Sequence, residues 1–366
     1  MVLNVKSKVL FILPMANSPT IQIHTTSAQP LYNARAISKP EIFITDVHGQ
    51  LLLMKALVDE CLKISNGNLS FLGDMIDRGK DSAECLAFAI SLAINITADP
   101  SGRVVRFICG NHEEMLISAI REVKKEGGWE YLSYLMKRAN KAYKLQGKKA
   151  GDYQAFVLDA LPKISRLTGG KKIQGRKIIS RWPALWRFIT CGGAWFVLAA
   201  SEECQDGDVD SIITRHLTGK AVGVISKTGL TEWLVSQPNV IRCGDIVATH
   251  GGIPSLSAAE ADPVAYGERC KIDPMGSQKV MESINTRWVR KGFIDRRDEF
   301  PGYTVLHGHT IDNEHAEMIS EGKEGKLVSP RAPLIGIDSG AYKTGVLTAA
   351  IIEKGGIRFV YATMQP

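Results

Sequence analysis

Five of the eight histidines in this sequence stand beside glycine or asparagine, each after a short apolar run: His48, His112, His250, His307 and His309. Short runs rich in β-branched and aromatic residues are typical of buried strands. A single histidine is more often structural than functional. Five at the ends of predicted strands indicate that imidazoles gather in one place, where they can bind metal ions or transfer protons. We expect His307 to lie outside the group of residues that bind a metal ion directly.

Oxygen donors accompany these histidines. Asp46 and His48 stand two residues apart, and in an extended segment such residues point to the same side. The segment 73–79 (GDMIDRG) holds two carboxylates and an arginine, and an arginine can bind phosphate through two hydrogen bonds. The segment 110–113 (GNHE) adds an amide oxygen and an imidazole. Nitrogen and oxygen donors without sulfur suit manganese, iron or zinc rather than a thiolate site.

The number of these donors indicates two metal ions. One strand end cannot supply ligands for both ions, so we expect contributions from several strand ends. Two ions about 3.5–4 Å apart can clamp a phosphoryl group and activate a water molecule. The residue types alone therefore predict metal-assisted hydrolysis of a phosphoester.

The elements that must position these residues alternate between strand and helix. Helical periodicity over 51–64 and 84–94 separates predicted strands at 40–45, 69–72 and 104–109. Such alternation predicts an α/β fold, in which ligands bind beyond the carboxyl ends of the strands. Further apolar runs complete the predicted sheet, at 245–249, 303–306, 333–340, 345–352 and 356–363.

This alternation breaks over residues 115–242, a stretch that is helix-prone and basic. Between Arg121 and Arg187 there are 17 lysines and arginines against 5 acidic residues, an excess of +12. Polar clusters of the same kind lie on both sides of the stretch. We therefore predict one domain over 39–366, with 115–242 as a helical insertion that caps or borders the site as a lid. Residues 1–38 form a poorly patterned N-terminal segment.

The basic charge of this insertion allows two interpretations. Lysine-rich helix faces are usually only solvated, but positive charge beside a phosphate site can steer anionic substrates. We expect the aromatic residues of the insertion to form its core; stacking on a base or packing against a phosphopeptide is the alternative. These residues are Trp129, Tyr131, Tyr134, Trp182 and Trp186.

The motifs DVHG, GDMIDRG, GNHE, HGG and GHT, in this order, resemble those of the metallophosphoesterase (calcineurin-like) superfamily. Within it, the series is most similar to the bacterial PPP-type protein serine/threonine phosphatases. The resemblance covers residues 40–115 and 243–350. It implies an α/β fold with a central β-sandwich flanked by helices, the αββα architecture, and a phosphoesterase activity. Any one motif would be weak, whereas five in order are specific.

The resemblance also implies the ligands of two divalent metal ions: Asp46, His48, Asp74, Asn111, His250 and His309. The first two would bind one ion, Asp74 would bridge both ions, and the last three would complete the second. We expect manganese, with iron or zinc as alternatives.

Four further residues receive catalytic roles from the resemblance. His112 would be the general acid that protonates the leaving oxygen, oriented by Asp77. Arg78 would hold the phosphate. Arg290, in the W-x-R part of the segment RWVR, would be a second phosphate-binding arginine.

The chain departs from the family pattern at two positions. Thr45 stands where the family usually has glycine before its first aspartate. We expect this change to alter the turn without removing a ligand. Cys109 stands where many bacterial members have an arginine, so one phosphate contact would be missing or supplied from elsewhere.

We predict hydrolysis of phosphomonoesters, with phosphoserine and phosphothreonine in proteins as the favoured substrates. The first alternative is a dinucleoside polyphosphate hydrolase of the diadenosine tetraphosphatase kind, or a pyrophosphohydrolase of RNA 5′ ends, because relatives on this scaffold cut phosphoanhydrides. The sequence GNHE, rather than the GNHD of diadenosine tetraphosphatases, favours the monoesterase. The second alternative is a non-catalytic binding module on the same fold, although such proteins usually lose metal ligands.

Composition limits the class of protein further. The chain is 45% hydrophobic and 23% charged, which is ordinary for a globular protein. No apolar stretch approaches the ~18 residues that span a bilayer, so no membrane partner is expected. Seven scattered cysteines without a Cys-x-x-Cys pair favour a reducing compartment, and we predict the cytoplasm. The apolar run 9–16 resembles a short signal peptide, but Pro14 interrupts it and we expect no cleavage.

Overall fold

The computed structural model describes residues 20–96, 102–126, 129–145, 153–167, 182–203, 210–254, 262–270, 285–294, 304–311 and 334–364. The strands in these stretches are β1 (Ile21–Thr25), β2 (Gln29–Pro30), β3 (Glu41–Ile44), β4 (Asn68–Phe71), β5 (Val105–Phe107), β6 (Val240–Cys243), β7 (Ile246–Thr249), β8 (Thr304–His307), β9 (Leu334–Gly336), β10 (Val346–Glu353) and β11 (Gly356–Met364).

The helices in the same stretches are α1 (Leu51–Ile64), α2 (Ser82–Asn95), α3 (Asn111–Glu126), α4 (Trp129–Leu145), α5 (Tyr153–Leu167), α6 (Pro183–Phe188), α7 (Ala194–Glu203), α8 (Asp210–His216), α9 (Lys220–Thr228), α10 (Leu230–Val235), α11 (Pro263–Arg269), α12 (Lys291–Ile294) and α13 (Ala341–Thr344). A 3-10 helix spans Tyr32–Ala36, and a π-helical turn spans Ile189–Gly193 between α6 and α7.

The larger sheet has the strand order β1-β11-β10-β3-β4-β5, and β2 also pairs with β11. Strands β3, β4 and β5 are parallel, whereas β10 is antiparallel to both β3 and β11. Ile44 lies opposite Phe71, and Phe71 lies opposite Phe107. The three parallel strands therefore end at the same level, which brings the polar residues that follow them to one edge of the sheet.

The smaller sheet has the strand order β6-β7-β8-β9. Strands β7, β8 and β9 are parallel, and β6 is antiparallel to β7. Side chains of both sheets meet in one buried core, with Phe43 and Phe359 from the larger sheet and Ala248 and Leu306 from the smaller. The two sheets therefore pack face to face as a sandwich.

Helices cover the outer faces of this sandwich. Leu53 and Leu57 of α1 share a core with Ile42 and Ile44 of β3. Because both faces of β3 are buried, its residues 42–44 are a continuous apolar run rather than an alternating one. The smaller sheet is covered by α11 and α12, whose apolar residues join a third core that includes Phe293. The predicted α/β fold with a central β-sandwich flanked by helices is confirmed.

The element boundaries agree well where the apolar pattern is strong. The helix predicted over 51–64 spans these same residues as α1. The sequence predicts neither β1 nor β2, although β1 pairs with β11 along its whole length. The division into an N-terminal segment, a single domain and an insertion stays a prediction, and the apolar run 9–16 lies outside the described residues.

Among the described residues, helices α3 to α10 lie between β5 and β6. The first of them begins at Asn111, so two predicted site residues open α3. Glu122 of α3 accepts hydrogen bonds from the backbone N–H groups of Ala184 (3.2 Å) and Leu185 (2.9 Å), which caps the start of α6. Among the described residues, no helix is long and apolar enough to cross a membrane.

Candidate metal centre

The six predicted ligands follow the carboxyl ends of strands in both sheets: Asp46 and His48 after β3, Asp74 after β4, Asn111 after β5, His250 after β7 and His309 after β8. Each is at most 4% exposed to solvent. The topology therefore gathers residues that lie far apart in the sequence into one buried cluster.

Asp74 occupies the centre of this cluster. Its Oδ2 lies 3.3 Å from Nε2 of His250 and 3.7 Å from Nε2 of His48. Donor atoms of Asp74, His48 and His112 all lie within 4.8 Å of one another, and so do donor atoms of Asp74, His250 and His309. Asp74 thus belongs to both groups of potential ligands, as a bridging carboxylate would.

Asp46 and Asn111 add one oxygen donor to each group. Oδ1 of Asp46 lies 3.8 Å from Nε2 of His48, and Oδ1 of Asn111 lies 3.1 Å from Nε2 of His250. The other carboxylate oxygen of Asp46 accepts a hydrogen bond from the backbone N–H of His309 at 2.9 Å. The two groups of ligands are therefore also linked through the backbone.

The two departures from the family pattern have partners in the structure. The Thr45 hydroxyl donates a hydrogen bond to Oδ2 of Asp46 at 2.7 Å, so this threonine helps to orient a predicted ligand. The Cys109 thiol is buried and donates to the backbone oxygen of Leu234 at 3.3 Å. Cys109 therefore packs toward α10.

The chemistry of these donors fits divalent cations. Nε2 of His309 is buried and has no hydrogen-bond partner among the described residues, an arrangement that a metal ion would satisfy. Carboxylate, amide and imidazole donors without thiolate suit manganese, iron or zinc. Because all six predicted ligands converge, the hypothesis of a binding module that has lost its ligands receives no support.

The protonation of the imidazoles also fits metal binding. Burial lowers the pKa of His48 to about 4, and burial and then the nearby His250 lower the pKa of His309. Neutral imidazoles keep a lone pair for a metal ion. Burial opposes a charge on His250 as well, but the Asp74 carboxylate outweighs it and raises the pKa of His250 to about 9. A metal ion must therefore displace a proton from His250.

His112 lies between Asp77 and Arg78. Its Nδ1 is 2.6 Å from Oδ2 of Asp77, and its Nε2 is 3.4 Å from Nη2 of Arg78 and 3.8 Å from Oδ2 of Asp74. Burial lowers the pKa of His112 and raises that of Asp77. The geometry allows two roles for His112: a proton donor held by Asp77, or a third ligand beside His48 and Asp74.

The two predicted phosphate-binding arginines lie on different sides of the cluster. The Arg78 guanidinium stacks on the ring of Tyr342, 4.2 Å from its centroid, and this ring also makes a T-shaped contact with the ring of His48. Tyr342 is 39% exposed, so this side is open to solvent. Arg290 instead donates a hydrogen bond to the backbone oxygen of His309 at 2.6 Å. Both arginines are therefore brought to the site.

Glu113 is a site residue that the sequence reasoning missed. Its carboxylate accepts hydrogen bonds from the backbone N–H groups of Asp74, Met75 and Gly110, each at 2.8 Å. Burial and then the charge of Asp74 raise the pKa of Glu113 to about 7. Three backbone donors on one fully buried carboxylate fix the turn that presents Asp74. The only signal in the sequence was a glutamate directly after His112.

Positive backbone φ angles mark the same site. Among the described residues, those other than glycine with positive φ are all predicted site residues: Asp46, His48, Asp74, Asp77, Arg78 and His309. Such angles cost about 1–3 kcal/mol each and persist only where the surrounding contacts enforce them. The fold therefore loses some stability by holding these side chains in the orientations of the site.

His307 lies outside both groups of potential ligands. Its Nδ1 is 3.0 Å from the backbone oxygen of Gly308, and its ring packs edge-on against Phe293. This placement agrees with its expected position outside the first set of ligands.

Part of the chain matches a known protein family. Residues 41–198 match the family model described as calcineurin-like phosphoesterase. Residues 41–198 are thus similar to the calcineurin-like phosphoesterases, and this match supports a phosphoesterase hydrolase. No curated protein matches the sequence.

Solved structures with a similar chain trace include several kinds of phosphatase. A cold-active protein-tyrosine phosphatase from a psychrophilic Shewanella species is 16% identical, with 87% of this chain and 77% of that chain covered and a TM-score of 0.43. A putative diadenosine tetraphosphatase is 14% identical over 90% and 95% of the two chains, with a TM-score of 0.35. A protein serine/threonine phosphatase from Saccharomyces cerevisiae is 13% identical over 92% and 85%, with a TM-score of 0.41. These similarities do not choose among substrates.

Proposed function

We propose that this protein hydrolyses phosphomonoesters with two divalent metal ions, and that phosphoserine and phosphothreonine in proteins are its substrates. The observation that carries the proposal is the position of Asp74, which is shared by two groups of potential ligands with His112 and Arg78 alongside. A shared carboxylate suits two ions, and the two neighbours suit the leaving group and the phosphate. The sequence GNHE favours a monoester over a dinucleotide.

The proposed ligand sets are Asp46, His48 and Asp74 for one ion, and Asp74, Asn111, His250 and His309 for the other. Manganese is the proposed metal, with iron and zinc as alternatives that the same nitrogen and oxygen donors also suit. Bound there, two such ions would polarise the phosphoryl oxygens and lower the pKa of a bound water.

The remaining steps use side chains of the chain itself. Arg78 donates hydrogen bonds to the phosphate oxygens, and the stacked ring of Tyr342 restricts its guanidinium. As a water oxygen bonds to phosphorus and the bond from phosphorus to the alcohol oxygen breaks, His112 donates a proton from Nε2 to that leaving oxygen. Asp77 holds the imidazole at Nδ1, so that Nε2 faces the space beside Asp74 and Arg78. Arg290 assists from the side of His309.

We propose the cytoplasm as the location of this activity. Six cysteines lie among the described residues, and all six are free thiols. Free thiols are typical of a reducing compartment.

A competition assay tests the substrate. The protein is loaded with Mn²⁺ and given a phosphoserine peptide and diadenosine tetraphosphate together, with the products separated over time. We expect phosphate to be released from the peptide faster than the dinucleotide is cleaved. Faster cleavage of the dinucleotide would replace the proposal by a nucleotide hydrolase. The variant Asp74→Asn, purified in parallel, identifies any contaminating phosphatase.

Helix α4, which belongs to the predicted insertion, has a basic face. Lys137, Lys141 and Lys144 are exposed on the same side of this helix and line a concavity with Leu145. Of the aromatic residues expected in the core, Trp182 is buried and Trp186 packs against the core. Tyr134 is instead 45% exposed on the basic face, while the side chains of Trp129 and Tyr131 lie outside the described residues.

Replacing Lys137, Lys141 and Lys144 together by glutamine should raise KM for an acidic phosphopeptide several-fold. The loss of three positive charges weakens long-range attraction of an anionic macromolecule. KM for a small aryl phosphate should not change, because α4 contributes no predicted site residue. The double variant Lys220→Gln/Lys227→Gln on α9, also exposed, is the matched control. Equal changes for both substrates would show that the basic face is only structural.

A further inference from the structure

The backbone at Arg78 is held in an unusual conformation. Asp77 and Arg78 are consecutive and both have positive φ, 72° and 66°, which side chains other than glycine rarely adopt. The side chain of Asp77 is fixed by His112 and that of Arg78 by Tyr342. A separate contact fixes the backbone: the N–H of Arg78 donates a hydrogen bond to the backbone oxygen of Gly192 at 3.1 Å.

Gly192 belongs to the π-helical turn between α6 and α7, far from Arg78 in sequence. Its own backbone, at φ 125° and ψ −4°, is not helical. A Cβ at this position would lie 3.0 Å from Cγ of Arg78 and 3.2 Å from both the backbone nitrogen of Arg78 and Cβ of Asp77. Only glycine therefore lets this carbonyl approach Arg78 so closely.

The turn is anchored independently of the metal ligands. The side chain of Gln154 on α5 donates a hydrogen bond to the backbone oxygen of Ile189 and accepts one from the N–H of Ala194 at 3.2 Å. Gly193 packs tightly on the ring of Phe188. Pi-helical turns of this kind are frequent at functional sites. The turn is thus a fixed support against which Arg78 rests.

We propose that Gly192 is a positioning residue: through its carbonyl, the turn Ile189–Gly193 holds Arg78 in the conformation that presents its guanidinium to the substrate phosphate. Affinity for phosphate is then set in part by helices α5 to α7, which belong to the predicted insertion. This inference rests on the proposed role of Arg78 in phosphate binding.

The test is the binding of inorganic phosphate to the Mn²⁺-loaded protein, followed by calorimetry. Gly192→Ala should weaken phosphate binding about tenfold, comparable to the loss of one hydrogen bond to a charged group. The metal content should stay at that of the wild type, since the atoms nearest an added Cβ belong to Asp77 and Arg78, which are not proposed ligands. Gly355→Ala is the matched control, because Gly355 also has positive φ (+82°) but nothing within 4 Å of an added Cβ. It should leave phosphate binding unchanged.

A double-mutant cycle shows whether Gly192 acts through Arg78. In an Arg78→Ala background, Gly192→Ala should cause no further loss of phosphate affinity. If Arg78→Ala itself leaves phosphate binding intact, the proposed role of Arg78 fails. If Arg78→Ala weakens binding but Gly192→Ala does not, the inference about Gly192 is overturned while the proposed function stands. An additive loss in the double variant would also overturn it.

A second variant covers the case in which Gly192→Ala does not fold. Gln154→Leu removes the anchors of the turn without backbone strain at Gly192. Gln154→Leu should also weaken phosphate binding, but by less than Arg78→Ala does. Its metal content should stay at that of the wild type. Unchanged phosphate affinity in folded Gln154→Leu would contradict a supporting role for the turn.

Discussion

Asp74→Asn should remove more than 99% of the phosphoesterase activity and most of the bound metal. One carboxylate faces both groups of potential ligands, so its loss weakens both ion sites at once. Loss of an outer-shell partner alone typically costs about 10–100-fold, and a shared ligand should cost more. Metal content by mass spectrometry and kcat/KM for an aryl phosphate are the measurements.

A control separates this effect from the loss of a negative charge elsewhere in the chain. Asp59→Asn changes an exposed aspartate on α1 and should leave both metal content and kcat/KM unchanged. If Asp74→Asn keeps two ions and near-normal turnover, Asp74 is not the bridging ligand.

His112→Asn should lower kcat about 10²–10⁴-fold while both metal ions stay bound. The imidazole is fixed at Nδ1 by Asp77, and its Nε2 faces the space beside Asp74 and Arg78. An asparagine side chain cannot donate a proton to a leaving alcohol. The loss should be smaller for p-nitrophenyl phosphate than for a phosphoserine peptide, because nitrophenolate leaves without protonation.

The structure also allows His112 as a ligand, and the same variant distinguishes the two roles. Loss of one metal ion from His112→Asn, with equal losses for both substrates, would assign His112 to the ligand group of His48 and Asp74. His216→Asn, at a partly exposed histidine on α8, is the control and should change neither quantity.

The helices and strands that depend on local sequence pattern could be predicted from the sequence. Apolar residues recur along helix α1 with helical periodicity. The parallel strands are short apolar runs that end in polar residues. The ligand motifs sit at those ends, so their convergence followed from the α/β topology. The edge strand β1 is only partly buried, and its pattern is correspondingly weak.

The contacts that orient the side chains of the site could not be predicted from local sequence pattern. Glu113 binds the backbone of Asp74, and Gly192 binds the backbone of Arg78, across long stretches of chain. Neither residue type is unusual in its own segment. A carboxylate that accepts backbone hydrogen bonds, or a glycine whose carbonyl reaches another loop, is defined by tertiary structure alone.

The position of β3 in the larger sheet affects how the protein is made. Ile44 of β3 pairs with Ala349 of β10, and Asp46 accepts its hydrogen bond from His309, 263 residues later. At 5–20 residues per second, a ribosome needs roughly 10–50 s to add that many residues. During this interval the apolar β3 lacks its C-terminal partner strand β10, and exposed apolar strands of this kind make a chain prone to aggregate. Incomplete chains also lack His250 and His309, so if the proposed ligand sets are right we expect them to be inactive toward phosphoesters.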